Sequence, residues 1–204
     1  MREWELEAAA QGSFISEGAF YPSYSAIVAS GRNTAIIHYR RSSGTLGTKD
    51  LVMMDFGPDY RYYSADITRT WPASGRFKKK HRRYYLDLLD IHEAMIEFVR
   101  PGITLDDIKE RFRELLIEKG YYERCYFFTP CHYIGMSVHD VGSRDAPLEP
   151  GVVLCIEPGL YFNNMKLGIR VEDVVLVTPD GRRVLSKMIP IRPEDIEAIM
   201  AGAD

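Results

Sequence analysis

The chain has 204 residues, of which 46% are hydrophobic and 27% charged, with a net charge of −3. That is enough for one substantial core, gives no reason to expect a nucleic-acid partner, and includes no apolar run of the ~18–20 residues a membrane span needs. Three cysteines, Cys125, Cys131 and Cys155, lack the spacing of a disulfide framework or a structural zinc site. With a charged start (Arg2, Glu3, Glu5, Glu7) unlike a secretory signal, they place the chain in the reducing cytoplasm.

In chain order, residues 3–11 read as a short helix with Gly12 near its stop. YPSYSAIVASGRN (21–33) opens with turn chemistry and passes through an apolar run to a Gly-Arg-Asn turn. AIIHYR (35–40) is a strand candidate, and 41–50 a polar, glycine-rich loop. Residues 51–57 and 62–71 are two strands joined as a hairpin at Gly57-Pro58-Asp59. Tyr84, Leu88, Ile91, Met95 and Val99 recur at helical spacing over 79–99, behind a solvated basic start at Lys78–Arg83; Pro101-Gly102 ends the helix. Thr104 and Asp107 form a capping box for a second helix that runs to Lys119, with Gly120 as its cap. Short strands follow, and 193–200 reads as a helical tail. The pattern is one α/β domain with an antiparallel-rich sheet flanked by helices.

Four acids interrupt apolar, strand-like runs: Asp55 in LVMMDFG, Asp66 in YYSADITRTWP, Glu157 in VVLCIEPGLYF and Glu172 in GIRVEDVVLV. A lone buried carboxylate costs several kcal/mol or more unless donors or a cation compensate it. Asp55 and Asp66 lie eleven residues apart across the proposed hairpin, whose strands are ~5 Å apart, so both can reach one ion. His132 and His139 flank a glycine in CHYIGMSVHDVG. Adjacent strand residues face opposite ways, so one of Glu172 and Asp173 points inward while the other caps or pairs outside. Four carboxylates and one imidazole make a hard, oxygen-rich set that favours manganese and accommodates cobalt, iron or zinc; Cys131 and Cys155 are expected to be buried apolar residues rather than ligands.

Together these segments resemble the pita-bread metallopeptidases, the superfamily of aminopeptidase P, prolidase, methionine aminopeptidase and creatinase. AIIHYR, LVMMDFG with ADITRTWP, CHYIGMSVHDVG, IEPGLYF and GIRVEDVVLV occur in the family's order, and YPSYSAIVASGRN and RPEDIEAIM are most similar to aminopeptidase P. The resemblance implies an α/β (α+β) pita-bread fold with a curved antiparallel-rich sheet flanked by helices. It implies a single catalytic domain over 1–204, beginning after the point where relatives carry an N-terminal domain and a first long helix. It also implies two divalent metal ions on Asp55, Asp66, His132, Glu157 and Glu172, with Asp66 and Glu172 bridging, and Glu157 moving the proton. His38 and His139 would line the substrate pocket and serve catalysis, and Tyr161 and Arg170 would lie at the substrate site. The implied activity is hydrolysis of Xaa-Pro bonds by a metal-activated hydroxide, releasing the N-terminal residue from a peptide with proline second, in a homo-oligomer with no membrane or nucleic-acid partner. Xaa-Pro dipeptidase (prolidase) activity is the alternative within the class. A catalytically silent binding module is the alternative outside it, and the presence of all five ligand positions argues against that. Phe128 stands four residues before His132, where some relatives carry a further histidine.

Overall fold

The computed structural model describes residues 1–202. Helix α1 (Glu3–Ser16) opens the chain and runs through Gly12, where the sequence predicts a stop. A Cβ at Gly12 would meet only open space, and the helix ends instead near Gly18, at φ +89°. Strands β1 (Tyr21–Pro22) and β2 (Ile27–Ser30) follow, then a 3-10 turn over Gly31–Ala35. AIIHYR does not make the expected strand: residues 36–40 pair with no ladder. They are held by single bonds instead, as when the Ile37 carbonyl accepts from Arg170.

Strands β3 (Leu51–Phe56), β4 (Pro58–Tyr60), β5 (Tyr63–Ser64) and β6 (Ile67–Pro72) form one long, broken hairpin. β3 pairs with β6, Asp55 opposite Thr68, and β4 pairs with β5. The chain therefore reverses at Arg61 and Tyr62, both left-handed at φ 53° and 70°, and not at Gly57-Pro58-Asp59. The Tyr62 N–H donates to Asp59 Oδ1 at 3.1 Å and fixes that turn. Gly57 serves another purpose: a side chain there would collide with the Ala65 carbonyl, so only glycine lets the two arms close beside Asp55 and Asp66.

Helix α2 (Lys79–Phe98) buries Tyr84, Leu88, Ile91 and Met95 as their spacing predicts, with Val99 buried just beyond. Helix α3 (Leu105–Glu118) starts at the expected capping box: Asp107 N–H donates to Thr104 Oγ1 at 3.0 Å, and Thr104 N–H to Asp107 Oδ2 at 2.8 Å. Strands β7 (Cys131–Tyr133), β8 (Val153–Ile156), β9 (Gly159–Phe162), β10 (Leu167–Arg170), β11 (Asp173–Thr178) and β12 (Gly181–Val184) follow, and helix α4 (Pro193–Met200) forms as expected.

The described strands form four antiparallel ladders: β1-β4-β5, β2-β3-β6, β9-β10 and β12-β11-β8-β7. Asp55 lies within β3, whereas Asp66 falls between β5 and β6, Glu157 between β8 and β9, and Glu172 between β10 and β11. Leu88, Ile91, Ile108 and Phe112 of the helices pack on Leu154, Ile156, Leu160 and Val175 in one buried core. Each fully buried aliphatic or aromatic side chain contributes about 1.5–3 kcal/mol, so this contact fixes the helices on the sheet. Among the described residues no helix is long and apolar enough to cross a membrane.

Candidate metal centre

Two strands, β3 and β7, and the breaks after β5, β8 and β10 bring the five candidate ligands to one place. His132 Nε2, on β7, lies 3.5 Å from Asp66 Oδ2, 3.7 Å from Glu172 Oε1 and 3.9 Å from Glu157 Oε1. Its Nδ1 is 3.0 Å from the Tyr133 carbonyl, which can only accept. When the ring is neutral the Nδ1–H tautomer is therefore favoured, which leaves the Nε2 lone pair toward the carboxylates. Asp55 joins the group through Tyr24, whose hydroxyl is 2.6 Å from Asp55 Oδ1 and also bonds Asp66. A phenol has one proton, so it satisfies only one of the two acids at a time.

A layer of donors holds the acids from below. Arg170 pairs with Asp55 and donates Nη1–H to Tyr161 Oη at 2.7 Å and Nε–H to Thr68 Oγ1 at 3.0 Å. Thr68 in turn donates to Glu172 Oε2 at 2.7 Å. Arg170 and Tyr161 are each 1% exposed and line none of the cavities here. Arg170 is hydrogen-bonded to Asp55, Thr68, Tyr161 and the Ile37 carbonyl, so Arg170 and Tyr161 are placed to position Asp55 and Thr68 from beneath. The sequence reading identified neither Tyr24 nor Thr68. Tyr24 sits in turn-like YPSYS, and Thr68 matters only through its register opposite Asp55.

The other oxygen of Glu172, Oε1, is buried and has no hydrogen-bond partner. A buried carboxylate oxygen without a donor is costly, and oxygen and imidazole donors converging around it suit a hard divalent cation. The titration directions agree with this fit. Burial, and then the charge of Asp66 working against Arg170, lifts the Asp55 carboxyl to about 6. Burial and the charge of Glu172 raise Glu157, although Arg170 and His132 oppose them. Burial disfavours a charged His132, yet Asp66, Glu172 and Glu157 outweigh it and push the imidazole up to about 11. The cluster thus draws positive charge to itself. Atoms of Asp66, His132, Glu172 and Cys155 all lie within 4.8 Å of one another. Cys155 was not expected here; burial and the surrounding carboxylates raise its thiol, so it adjoins the site as a neutral group. Cys131 is directed elsewhere, its Sγ 3.5 Å from the Leu105 carbonyl.

Glu172 and Asp173 divide as expected. Asp173 turns away and binds Arg69 Nη2 at 2.8 Å. Arg69 also donates to the carbonyls of Glu172 at 2.6 Å, Pro190 at 3.0 Å and Ile189 at 3.2 Å, fixing the backbone that carries Glu172.

Two cavities open on the cluster, an outer one of about 440 Å³ and an inner one of about 110 Å³, and His38, His132, His139 and Glu157 line both. The His139 ring stands edge-on to His132 with centroids 4.4 Å apart. Burial, then nearby positive charge, lowers the pKa of both His38 and His139. Phe128, against Tyr161 at 5.5 Å between ring centroids, gives the outer cavity an aromatic wall.

Comparison with known proteins agrees with this geometry. A family model described as metallopeptidase family M24 matches residues 1–179. The Xaa-Pro aminopeptidase of Escherichia coli (strain K12) is 33% identical over 232 residues, covering 100% of this chain and 53% of that protein. That of Haemophilus influenzae is 32% identical, covering 97% of this chain and 53% of its own length. A solved aminopeptidase P described as putative, from Bacillus anthracis, superposes on the whole chain with a TM-score of 0.94 at 34% identity and 51% coverage of that protein. E. coli aminopeptidase P, solved zinc-substituted with product, gives 0.89 at 33% identity, covering 100% of this chain and 53% of that one. The chain spans about half the length of the curated relatives it matches. The pita-bread fold expected from the motifs is its fold.

Proposed function

This chain belongs to metallopeptidase family M24, and on that premise we propose that it is the catalytic domain of a manganese-dependent aminopeptidase that removes the N-terminal residue from peptides with proline second. Asp55, Asp66, His132, Glu157 and Glu172 would hold two divalent ions. The observation that carries the reading is the donorless, buried Glu172 Oε1, set behind Asp66, Glu157 and His132, which line the inner cavity. When bound, the ions supply Lewis acidity and lower the pKa of a shared water, as in two-metal aminopeptidases generally.

The remaining steps fall to the chain's own groups. Glu157 has its carboxyl raised by burial and faces both cavities, so it can take a proton from the attacking water and return it to the departing nitrogen. His139 and His38, depressed by burial and positive neighbours, are neutral near pH 7 and can donate N–H groups to the scissile carbonyl and the peptide. Arg170 and Thr68 keep Asp55 and Glu172 in place, so little reorganisation is needed during turnover.

The test is hydrolysis of an Xaa-Pro-Yaa tripeptide beside an Xaa-Pro dipeptide, with added manganese and with chelator. Chelator-sensitive cleavage of the tripeptide is the expected result. Cleavage of the dipeptide alone would replace this reading with a dipeptidase. Cleavage of neither by protein carrying two ions per chain would overturn it for this chain.

A further inference from the structure

A third space, of about 630 Å³, adjoins the two cavities, and its lining is basic. His38 lines all three, and Arg40 lines both this space and the inner chamber beside Asp55 and Asp66. Arg32 and Arg41 complete the charged lining, which contains no carboxylate. Among the described residues these three arginines form no salt bridge, whereas Arg69, Arg82, Arg144, Arg170 and Arg192 each hold an acid. Three guanidiniums thus line one space with no acid among its lining residues, an arrangement suited to an incoming anion.

The loop that presents Arg40 and Arg41 is fixed from behind. Tyr39 turns inward, 6% exposed, and donates to Glu3 Oε2 at 2.9 Å. Gly44 N–H binds the same oxygen, and the Ile37 carbonyl accepts from Arg170 at 3.3 Å. With Tyr39 anchored inside, Arg40 and Arg41 face solvent and the basic space on a backbone that need not be ordered on binding. Across the mouth the lining passes from acidic at the cluster to basic at the arginines. A short peptide has the matching polarity: an ammonium at its start and a carboxylate a few residues on.

We propose that Arg40, with Arg41 and Arg32, forms a carboxylate subsite for the residues downstream of the scissile bond. The inference rests on the peptidase reading above and names its substrate class: short peptides with a free C-terminus, or peptides with an Asp or Glu soon after the proline.

The test compares kcat/KM of the metal-loaded chain for Xaa-Pro-Ala-Ala as free acid, as its amide, and as an amide with Asp in place of the last Ala. The free acid should be favoured over the amide about tenfold, through KM, as for one well-made charged contact. Recovery with the Asp amide identifies a subsite that reads any carboxylate, and no recovery one that reads the C-terminus. In Arg40→Ala/Arg41→Ala the acid-to-amide ratio should fall toward one, and Arg40→Lys should keep most of it. Equal rates for acid and amide, or an unchanged ratio in the double variant, would overturn the subsite while leaving the peptidase reading intact. Calorimetric titration with Pro-Ala-Ala, as acid and amide, separates the two ideas. Binding of the acid alone, lost in the double variant, from protein that cleaves nothing would support the subsite and sink the peptidase.

Discussion

Glu3 and Glu172 are both carboxylates almost wholly removed from water, yet they are treated in opposite ways. Glu3 accepts from Ser30 N–H at 2.7 Å, Ser30 Oγ at 2.8 Å, Asn33 Nδ2 at 3.0 Å and Tyr39 Oη at 2.9 Å, besides Gly44 N–H. Burial alone would raise its pKa, but those donors win and lower it. Glu172 has one oxygen tied to Thr68 and the other left without a donor among Asp66, Glu157 and His132. Burial of an acid therefore does not mark a metal centre; an unmet demand for positive charge does. The Glu3 pocket is complete within the chain, while the Glu172 pocket is shaped for something the chain does not supply.

The largest effect expected from this contrast is chemical. Asp66→Asn should lower manganese-dependent hydrolysis by about 10³-fold or more, and elemental analysis should find less metal bound. Unchanged metal content would sink the ligand reading. Next in size is Glu3→Gln, which cannot accept all five donors and should cost about 2–3 kcal/mol. For a chain of this length that is a fall in melting temperature of roughly 5–10 °C, with metal affinity unaltered.

Glu172→Gln sharpens the comparison by reversing the sign. In chelator, loss of an undercompensated buried charge should raise the melting temperature by a few degrees, about 1 kcal/mol. The same change should reduce the stabilisation gained from manganese in a thermal melt. A large drop in chelator would show that Glu172, like Glu3, is already satisfied.

The smallest effect is in acid. The folded pKa of Glu3 lies below the ordinary 4.5, so its stabilisation is complete above pH 4.5 and is lost as the pH falls through the lowered value. Glu3→Gln should therefore flatten the decline of stability below pH 4.5 that urea titration records for the native chain. Equal slopes in the two proteins would remove Glu3 from the explanation.

The four acids of the candidate site were legible in the sequence because each interrupts an apolar run, a conflict visible without any partner, and His132 through its pairing with His139 across a glycine. Glu3 gave no such signal: in a helix start rich in Arg and Glu it reads as one more exposed charge, and its donors come from residues 27 to 41 positions away. Helices α2 and α3 were legible through period and cap, which are local. The hairpin reversal was misplaced because Gly57-Pro58-Asp59 has turn composition, while the real turn uses Arg61 and Tyr62 and depends on Asp59 reaching Tyr62 N–H. AIIHYR looked like a strand because its residues suit one; residues 36–40 instead join no described ladder and are held by single bonds such as that from Arg170 to the Ile37 carbonyl. Arg170 was noticed, but its part beneath Asp55 follows from a contact 115 residues apart.

Arg69 has a consequence for how the molecule is made. Its side chain ties β6 to carbonyls at Glu172, Ile189 and Pro190, the last 121 positions downstream. A ribosome releases Asp55, Asp66 and Arg69 well before those acceptors. A nascent chain that has emerged only through α3 offers two aspartates and an unanchored guanidinium, so it is a poor trap for any ion. Such distant pairings also form slowly. Competence to capture metal should thus arise abruptly, once residues 172–190 have emerged, clasp Arg69 and set Glu172 in place.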